Sequence, residues 1–370
     1  MGNKQTFYLK EKITFRDKDP QVSIHANKIF VHQNILYIKD YDDFYLFNIY
    51  NYKLFSHEYE KSIDNPALFI KATKSYFFKY SNTNFIFSEN EGKIYNDFFR
   101  NEQTSFLKKH KAYYLDKTEI MKNGQFILLE FVHSSGKNEI ILYEKVDSRY
   151  QSIFKLKEMF RAKSLLEFNN KEYIIGRDNN LYYIDLENAE LVDPKINVPC
   201  STNSFLNMIK LNENTILISQ NIHEECSIIA FDTNKNSFNI LDLKFNKKKK
   251  KIKDVIVFKE NNILVIFETD DNQIIKDFQK KTERFTPRYW DEFFNSPFNH
   301  IMSNKEENYN KNVFNQYVVS YIYDEEKREV NEPEILFITD DVLYKMCKVN
   351  DNELAIIADA TLLILGRKVD

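Results

Sequence analysis

Glycine and proline are scarce in this chain, with 6 and 7 residues among 370. So few glycines argue against a Gly-rich phosphate-binding loop, and no G-x-S-x-G sequence marks a hydrolase nucleophile. The three cysteines Cys200, Cys226 and Cys347 contain no C-x-x-C spacing. This argues against a disulfide framework and favours a reducing compartment. Turns must be built from other residues, and asparagine and aspartate are suited to that task.

Long apolar runs and a strong net charge are also missing. No run reaches the roughly 18 apolar residues that span a bilayer. The N-terminal sequence MGNKQTFYLKEK has no apolar signal core. The net charge is −3, whereas nucleic-acid binding usually requires a basic domain. The sequence therefore predicts a cytoplasmic protein that does not bind nucleic acid.

The chain does contain strand-forming residues and a repeated hairpin pattern. Apolar residues make up 43% of it, with 23 Tyr and 32 Phe, which suits strands around a large core. The stretch KLNENTILIS (210–219) consists of an apolar strand, an Asn-rich turn and a second apolar strand. Similar stretches are EFNNKEYIIG (167–176), FKENNILVIF (258–267) and KVNDNELAII (348–357). Such tight links predict antiparallel hairpins.

The second strand of this hairpin, marked by the residue before its apolar run, recurs along the chain. Successive marks lie 40, 51, 47, 43, 47 and 91 residues apart, and all but the last are close to the roughly 40–50 residues of a propeller blade. A second hairpin follows each mark except the last, so each unit holds four short strands, here called a to d. The marks are Asn34, Lys74, Gln125, Glu172, Thr215, Asn262 and Glu353.

This arrangement resembles the seven-bladed β-propellers of the WD-repeat and Kelch type over nearly the whole chain. The resemblance is one of architecture, because the Kelch double glycine and the repeated Trp-Asp dipeptide are absent. The only tryptophan, Trp290, precedes Asp291 outside any strand pattern. The resemblance therefore implies an all-β fold of four-stranded antiparallel blades and no functional residue.

The two chain ends predict how the ring closes. The last unit supplies strands a (342–349), b (354–358) and c (362–365) but no strand d. The N-terminal segment FYLKEKITF (7–15) has no partner nearby in sequence. As the outer strand of the last blade, it would remove an exposed sheet edge. We expect one seven-bladed domain over residues 1–370, with six or eight blades as alternatives because the second blade is weakly marked.

The long last interval predicts an insertion over residues 269–312, between strands b and c of blade six. TPRYWDEFF suggests a helix with Thr286 as N-cap and Pro287 at its first position. On that helix an aromatic stripe is formed by Tyr289, Trp290, Phe293 and Phe294. The stripe either packs back onto the propeller or anchors a partner. Disorder is the third alternative.

A lysine-rich run, residues 244–253, precedes blade six. It is either a solvated connection in a composition biased towards lysine and asparagine, or a patch for acidic protein, RNA or anionic lipid. No aromatic residue interleaves with it, so base stacking is not indicated. As a d–a connection it would share a face with the b–c insertion, which favours an acidic protein partner there. The candidate binding residues are Lys247, Lys248, Lys249, Lys250 and Lys251.

Gly2 and Thr6 fit the N-myristoylation pattern M-G-x-x-x-[ST]. One myristoyl chain binds a membrane only marginally and needs a second signal. In the closed ring Gly2 would lie on the face opposite to the lysine run, so one membrane would hardly engage both. A lipid-anchored peripheral protein is therefore an alternative rather than the main expectation.

Catalytic and metal-binding patterns are not found in the sequence. The seven histidines have no metal-ligand spacing. The expected inner strands, such as DVIVF (254–258) and SLLEF (164–168), are mostly apolar, which predicts a closely packed channel wall. We expect a non-catalytic scaffold for protein–protein interaction, with no cofactor and no small-molecule substrate. The alternative is an enzyme with a site in the central channel.

Overall fold

The structure is a computed structural model, and within the part that it describes the chain consists of strands and turns without a helix. Twenty-eight strands form seven antiparallel sheets there. The described residues are 7–14, 28–32, 35–40, 43–49, 53–56, 75–80, 83–88, 93–96, 113–121, 125–133, 135, 138–146, 149–157, 162–176, 178–200, 205–221, 226–244, 250–269, 315–339, 342–358 and 361–367.

One compact unit comprises Ala26–Ile222 and Ser227–Leu241, and it contains sheets 1 to 5. Sheet 1 is formed by β2 Lys28–His32, β3 Ile35–Asp40, β4 Asp43–Asn48 and β5 Lys53–Ser56. Sheet 2 is formed by β6 Ser75–Tyr80, β7 Thr83–Ser88 and β8 Lys93–Asn96. Sheet 3 is formed by β9 Tyr113–Met121, β10 Phe126–His133, β11 Asn138–Val146 and β12 Arg149–Lys157.

The other two sheets of this unit follow the same order. Sheet 4 is formed by β13 Ser164–Phe168, β14 Lys171–Ile175, β15 Asn180–Asp185 and β16 Glu190–Asn197. Sheet 5 is formed by β17 Phe205–Lys210, β18 Thr215–Asn221, β19 Cys226–Asp232 and β20 Ser237–Leu241. Each strand pairs with the next in sequence, as in a propeller blade.

The other compact unit comprises Met1–His25, His223–Cys226 and Asp242–Asp370, and it contains sheets 6 and 7. Sheet 6 is formed by β21 Lys250–Lys259, β22 Asn262–Thr269, β23 Asn315–Asp324, β24 Glu329–Val330 and β25 Glu334–Thr339. Sheet 7 is formed by β26 Leu343–Asn350, β27 Glu353–Ala358, β28 Thr361–Arg367 and the N-terminal strand β1 Phe7–Thr14.

The predicted strand pattern is confirmed at the level of single sheets. Each of the seven marked residues lies within one residue of the start of a strand. Several sheets have four antiparallel strands in the order a, b, c, d. The N-terminal strand β1 pairs antiparallel with β28, from Phe7 opposite Arg367 to Thr14 opposite Thr361. A salt bridge joins Lys10 of β1 to Glu353 of β27.

Neighbouring sheets within each unit pack through apolar faces. Sheets 4 and 5 share a cluster that includes Phe168, Tyr173 and Phe231. Sheets 6 and 7 share one that includes Phe258 and Met346. Burying each such side chain contributes about 1.5–3 kcal/mol, so the stabilising layer lies between sheets. β-Branched and aromatic residues at alternate positions of the strands form most of this layer.

Two polar bonds at equivalent places also join the first strands of neighbouring sheets. Ser164, the first residue of β13, accepts a hydrogen bond on Oγ from the backbone N–H of Met208 in β17, at 3.0 Å. Asp254 of β21 accepts one on Oδ2 from the N–H of Met346 in β26, at 2.9 Å. A buried N–H needs a partner, and here a side chain of the preceding sheet provides it.

Aspartate and asparagine make the turns that glycine makes in other chains. Asp185, Asp232 and Asp324 each end a strand c and accept hydrogen bonds from the backbone N–H groups two and three residues later. The residue four places after each aspartate has a positive φ, at Ala189, Asn236 and Arg328. Between strands a and b, Asn169 and Asn170 both have positive φ. These loops need αL conformations, which asparagine tolerates.

Sheet 6 has two strands at its outer edge. β24 ends at Val330, and β25 then pairs with β23 from Glu334 to Thr339. Between β24 and β25, Asn331 exchanges bonds with Ile322: its Oδ1 accepts from the Ile322 N–H at 2.6 Å, and its own N–H donates to the Ile322 carbonyl at 3.0 Å. Pro333 has no N–H to donate. The strand is therefore interrupted but not ended.

Thr269, the first residue of the predicted insertion, is the last residue of β22, and β23 starts at Asn315. The predicted helix and the rest of the predicted insertion lie outside the described residues.

Candidate functional site: the basic end of sheet 6

One end of sheet 6 brings together the flanks of the lysine run and of the predicted insertion. Lys250, which starts β21, pairs with Thr269, which ends β22. Thr269 in turn pairs with Asn315, which starts β23, and Gln316 pairs with Thr339 at the end of β25. We call this row, with the residues next to it in β21 and β22, the basic end of sheet 6. The connection that leads into β21 and the connection from β22 to β23 therefore both meet the sheet at this end.

The lysine run is partly a strand rather than wholly a connecting loop. The sequence placed Lys250 and Lys251 in the connection before blade six, but β21 starts at Lys250. Ile252 is the physical reason, because its side chain is 3% exposed and alternation with exposed Lys251 fits a half-buried strand. Lys251 keeps its ammonium group at the surface of the sheet end.

Glu268 is the centre of the polar contacts at this end. Its Oε2 lies 2.7 Å from Nζ of Lys253 and accepts a hydrogen bond from Nε2 of Gln316 at 2.8 Å. Burial raises the pKa of the Glu268 carboxyl, but the bonds from Lys253 and Gln316 and the charge of Lys251 outweigh it and hold the pKa below its ordinary value. Glu268 is therefore ionised at neutral pH and neutralises Lys253.

A second ion pair lies further along β21. Nζ of Lys345 in β26 lies 2.8 Å from Oδ1 of Asp254, whose side chain is 9% exposed. The other carboxylate oxygen, Oδ2, accepts a hydrogen bond from the Met346 N–H. Asp254 is thus occupied on both oxygens and joins sheet 6 to sheet 7.

Lysine side chains are concentrated at this end. Among the described residues, Lys253 and Lys345 each have a carboxylate partner, and exposed Lys251 adds a third positive charge opposite Glu268. An exposed lysine attracts anionic groups, and its flexible stem accepts varied geometry. The described side chains of this end therefore suit contact with an acidic surface.

The structure describes only part of the predicted site. Lys250 and Lys251 lie in β21 as stated. The predicted residues Lys247, Lys248, Lys249, Tyr289, Trp290, Phe293, Phe294 and Gly2 lie outside the described residues. The sequence reasoning missed Glu268 and Gln316 as partners of the lysines. Only their positions in the sequence pointed to them: Glu268 precedes the last residue of β22, and Gln316 follows the first residue of β23.

Metal sites and membrane spans are the other kinds of feature that the described residues allow to be judged. In that part of the chain, no group of three or more His, Cys, Asp and Glu side chains is placed to hold a metal ion. Nor does any helix there have the length and apolar character needed to cross a membrane. Cys200 is half-buried and Cys347 is buried, and neither forms a disulfide.

No protein-family model matches this sequence, and a comparison with curated proteins gives no match either. Among solved structures, the extracellular domain of the putative hybrid two-component system BT4673 from B. thetaiotaomicron matches 99% of this chain, with 10% identity and a TM-score of 0.50. This chain spans 40% of that domain's length. The β-propeller domain of Myceliophteria thermophila Cps50 (Swd1) matches 96% of this chain and 99% of that domain, with 8% identity and a TM-score of 0.49.

At these identities the likeness concerns the fold alone. The described strands show an all-β chain built from antiparallel sheets of the propeller-blade type. That architecture follows from the order in which the strands pair.

Proposed function

We propose that this chain is a closed, seven-bladed β-propeller that serves as a non-catalytic scaffold for protein–protein interaction. Seven sheets in the described part match seven blades, and β1 completes sheet 7 in the manner of a ring joined by its two ends. A propeller offers a rigid frame on which connecting loops form binding surfaces. The chain then acts as a subunit of a larger complex in the cytoplasm, because its three cysteines lack the spacing of a disulfide framework.

The observation that carries the proposal is the convergence of two unusual connections at the basic end of sheet 6. The register sets Lys250, Thr269 and Asn315 side by side. A lysine-rich connection therefore ends where a connection of more than forty residues with four clustered aromatics begins. Aromatic side chains anchor interfaces and charges steer association. The partner's contacting segment is acidic in this proposal.

The buried polar groups support a structural rather than a catalytic use. Glu130 of β10 is fully buried, and its Oε1 accepts bonds from Asn138 Nδ2 at 3.0 Å and from the Ala162 N–H at 2.9 Å. Asp254 and Glu268 are used in the same way. Each joins strands or sheets, whereas catalytic carboxylates converge on one open position.

The test is purification of the tagged full chain with its bound proteins, using two variants. One replaces residues 271–313 by a short Gly/Ser linker, and the other changes Lys247–Lys251 to glutamate. The intact chain should recover a defined partner, and both variants should lose it. Binding of that partner in purified form should also weaken as salt is raised, because salt screens the lysine charges.

The control variant reverses the charge of two lysines that lie in c–d turns, away from the basic end of sheet 6. Lys235→Glu and Lys327→Glu change exposed side chains, 68% and 71% accessible, in the c–d turns of sheets 5 and 6. This variant should keep the partner. Recovery of the same partner by all variants, or its loss from the control, would overturn the proposed site.

A further inference from the structure

Lys253 lies at an irregularity in the hairpin formed by β21 and β22. The register of the two strands shifts between Ile252 and Asp254, so Lys253 is an extra residue with no opposite position in β22. Such an extra residue is a β-bulge, which aims a side chain away from the direction of regular alternation. The bulge therefore accounts for the contact of Lys253 with Glu268, which stands opposite Lys251 in the register.

Glu268 occupies two groups at this end that suit an anion. Its Oε2 lies 2.7 Å from Nζ of Lys253 and accepts a hydrogen bond from Nε2 of Gln316 at 2.8 Å. An ammonium group and an N–H donor side by side are what a carboxylate or phosphate of another molecule would bind. An acidic partner at the basic end of sheet 6 would therefore compete with Glu268 for both groups.

The contact between Lys253 and Glu268 is open enough to be exchanged. The side chains of Lys253 and Glu268 are 22% and 16% exposed, so solvent reaches both. Ion pairs that solvent reaches contribute little to stability, and one partner can be replaced at small cost. Exposed Lys251, opposite Glu268, offers an approaching acidic group its first contact beside this pair.

We propose that Glu268 is an internal competitor at the basic end of sheet 6, and that an acidic partner must displace its carboxylate to reach Lys253. This role presupposes the acidic partner proposed above. Because Glu268 belongs to the same hairpin as Lys253, its carboxylate has a high effective concentration there. The natural chain therefore binds acidic groups more weakly than its lysines alone would.

The test is binding of a labelled peptide of eight glutamates to the full chain at about 150 mM salt, where long-range charge effects are screened. Glu268→Gln keeps the size of the side chain and removes its charge, so the dissociation constant should fall about fivefold. Glu268→Asp keeps the charge on a shorter stem that holds Lys253 less closely, and the dissociation constant should fall by a smaller factor. Unchanged or weaker binding by both variants would overturn the proposal.

Asp351→Asn is the matched control for the change in net charge. Asp351 lies 2.6 Å from Lys348 between β26 and β27 and is 74% exposed, so its loss should change the dissociation constant by less than about twofold. A cycle with Lys253→Gln separates competition from net charge. Glu268→Gln should strengthen binding less in the Lys253→Gln chain than in the natural chain. Equal gains in the two chains would overturn the proposal.

The same peptide distinguishes this role of Glu268 from the proposed binding site itself. The variant with Lys247–Lys251 changed to glutamate should lose the peptide if the basic end is the site. Loss by that variant without a gain by Glu268→Gln would leave the site standing and overturn the competition. Retention of the peptide by that variant, or no binding by any chain, would overturn both.

Discussion

At the residue scale, side-chain oxygens carry much of the specificity of this fold. Buried carboxylates and hydroxyls in the first strand of a sheet accept hydrogen bonds from the next sheet, as Ser164 and Asp254 do. Aspartates at the ends of strands c fix the turns. A chain with six glycines can form so many hairpins because Asn and Asp tolerate αL and hydrogen-bond their own backbone.

Asp254 offers a direct test of the bonds between sheets. Asp254→Ala should lower the free energy of unfolding by about 2 kcal/mol, because the Met346 N–H and the Lys345 ammonium both lose a buried partner. Denaturant titration of the full chain measures this. Asp351→Ala is the matched control, since Asp351 pairs with Lys348 at the surface, 74% exposed, and should change stability little. Equal losses in the two variants would contradict the role assigned to Asp254.

The free energy of unfolding should depend on pH below neutrality because of Glu268. Its pKa lies below the ordinary value of 4.5 in the folded chain, so it contributes stability that is fully present above pH 4.5. That contribution is lost as the pH falls through the lower folded pKa. The difference in unfolding free energy between the natural chain and Glu268→Gln should therefore shrink as the pH is lowered from neutrality through the folded pKa of Glu268. A difference that grows on acidification would contradict the pairing with Lys253.

At the element scale, the strands were predictable and their irregularities were not. Period-2 alternation and Asn-rich turns fix the hairpins, so the marked strands begin within one residue of their predicted starts. The interruption of the outer strand at Asn331 depends on a side chain replacing a ladder bond, which no periodicity reveals. Lys250 and Lys251 look like a solvated loop, and the buried Ile252 that makes them a strand is one residue in a charged run.

The candidate site was predictable only in part, for the same reason. The run of lysines and the long interval are visible in the sequence, and alternating strand directions imply that they leave the sheet at one end. The ion pair of Lys253 with Glu268 joins neighbouring strands of one sheet, whereas that of Lys345 with Asp254 joins two sheets. The first depends on side-chain direction within the hairpin, and the second on how two sheets pack.

Deleting strand β1 should destabilise the chain, and adding β1 back as a peptide should restore its stability. Removing residues 1–15 exposes the edge of β28 and the buried face that contacts Ile13, 6% exposed. The truncated chain should lose about 2 kcal/mol or more of unfolding free energy. A synthetic peptide FYLKEKIT, residues 7–14, should restore the melting temperature by adding a strand. A scrambled peptide is the control, and full stability without β1 would contradict its place in sheet 7.

At the scale of the whole molecule, the described sheets repeat the antiparallel pairing of successive strands, and β1 supplies the fourth strand of sheet 7. In a fold of repeated sheets, binding residues lie mainly on the connecting loops rather than in the strands. The composition of the chain argues against several kinds of site but does not name a partner.

The most direct test of the closed ring is a pair of distances between spin labels, measured by double electron–electron resonance in a background without the natural cysteines. One label stands on Lys12 in β1 of sheet 7, and the second stands either on Lys53 in β5 of sheet 1 or on Asn197 in β16 of sheet 4. In a closed seven-bladed ring the last blade adjoins the first, so the Lys12–Lys53 distance should be shorter than the Lys12–Asn197 distance. A longer Lys12–Lys53 distance would contradict closure of the ring.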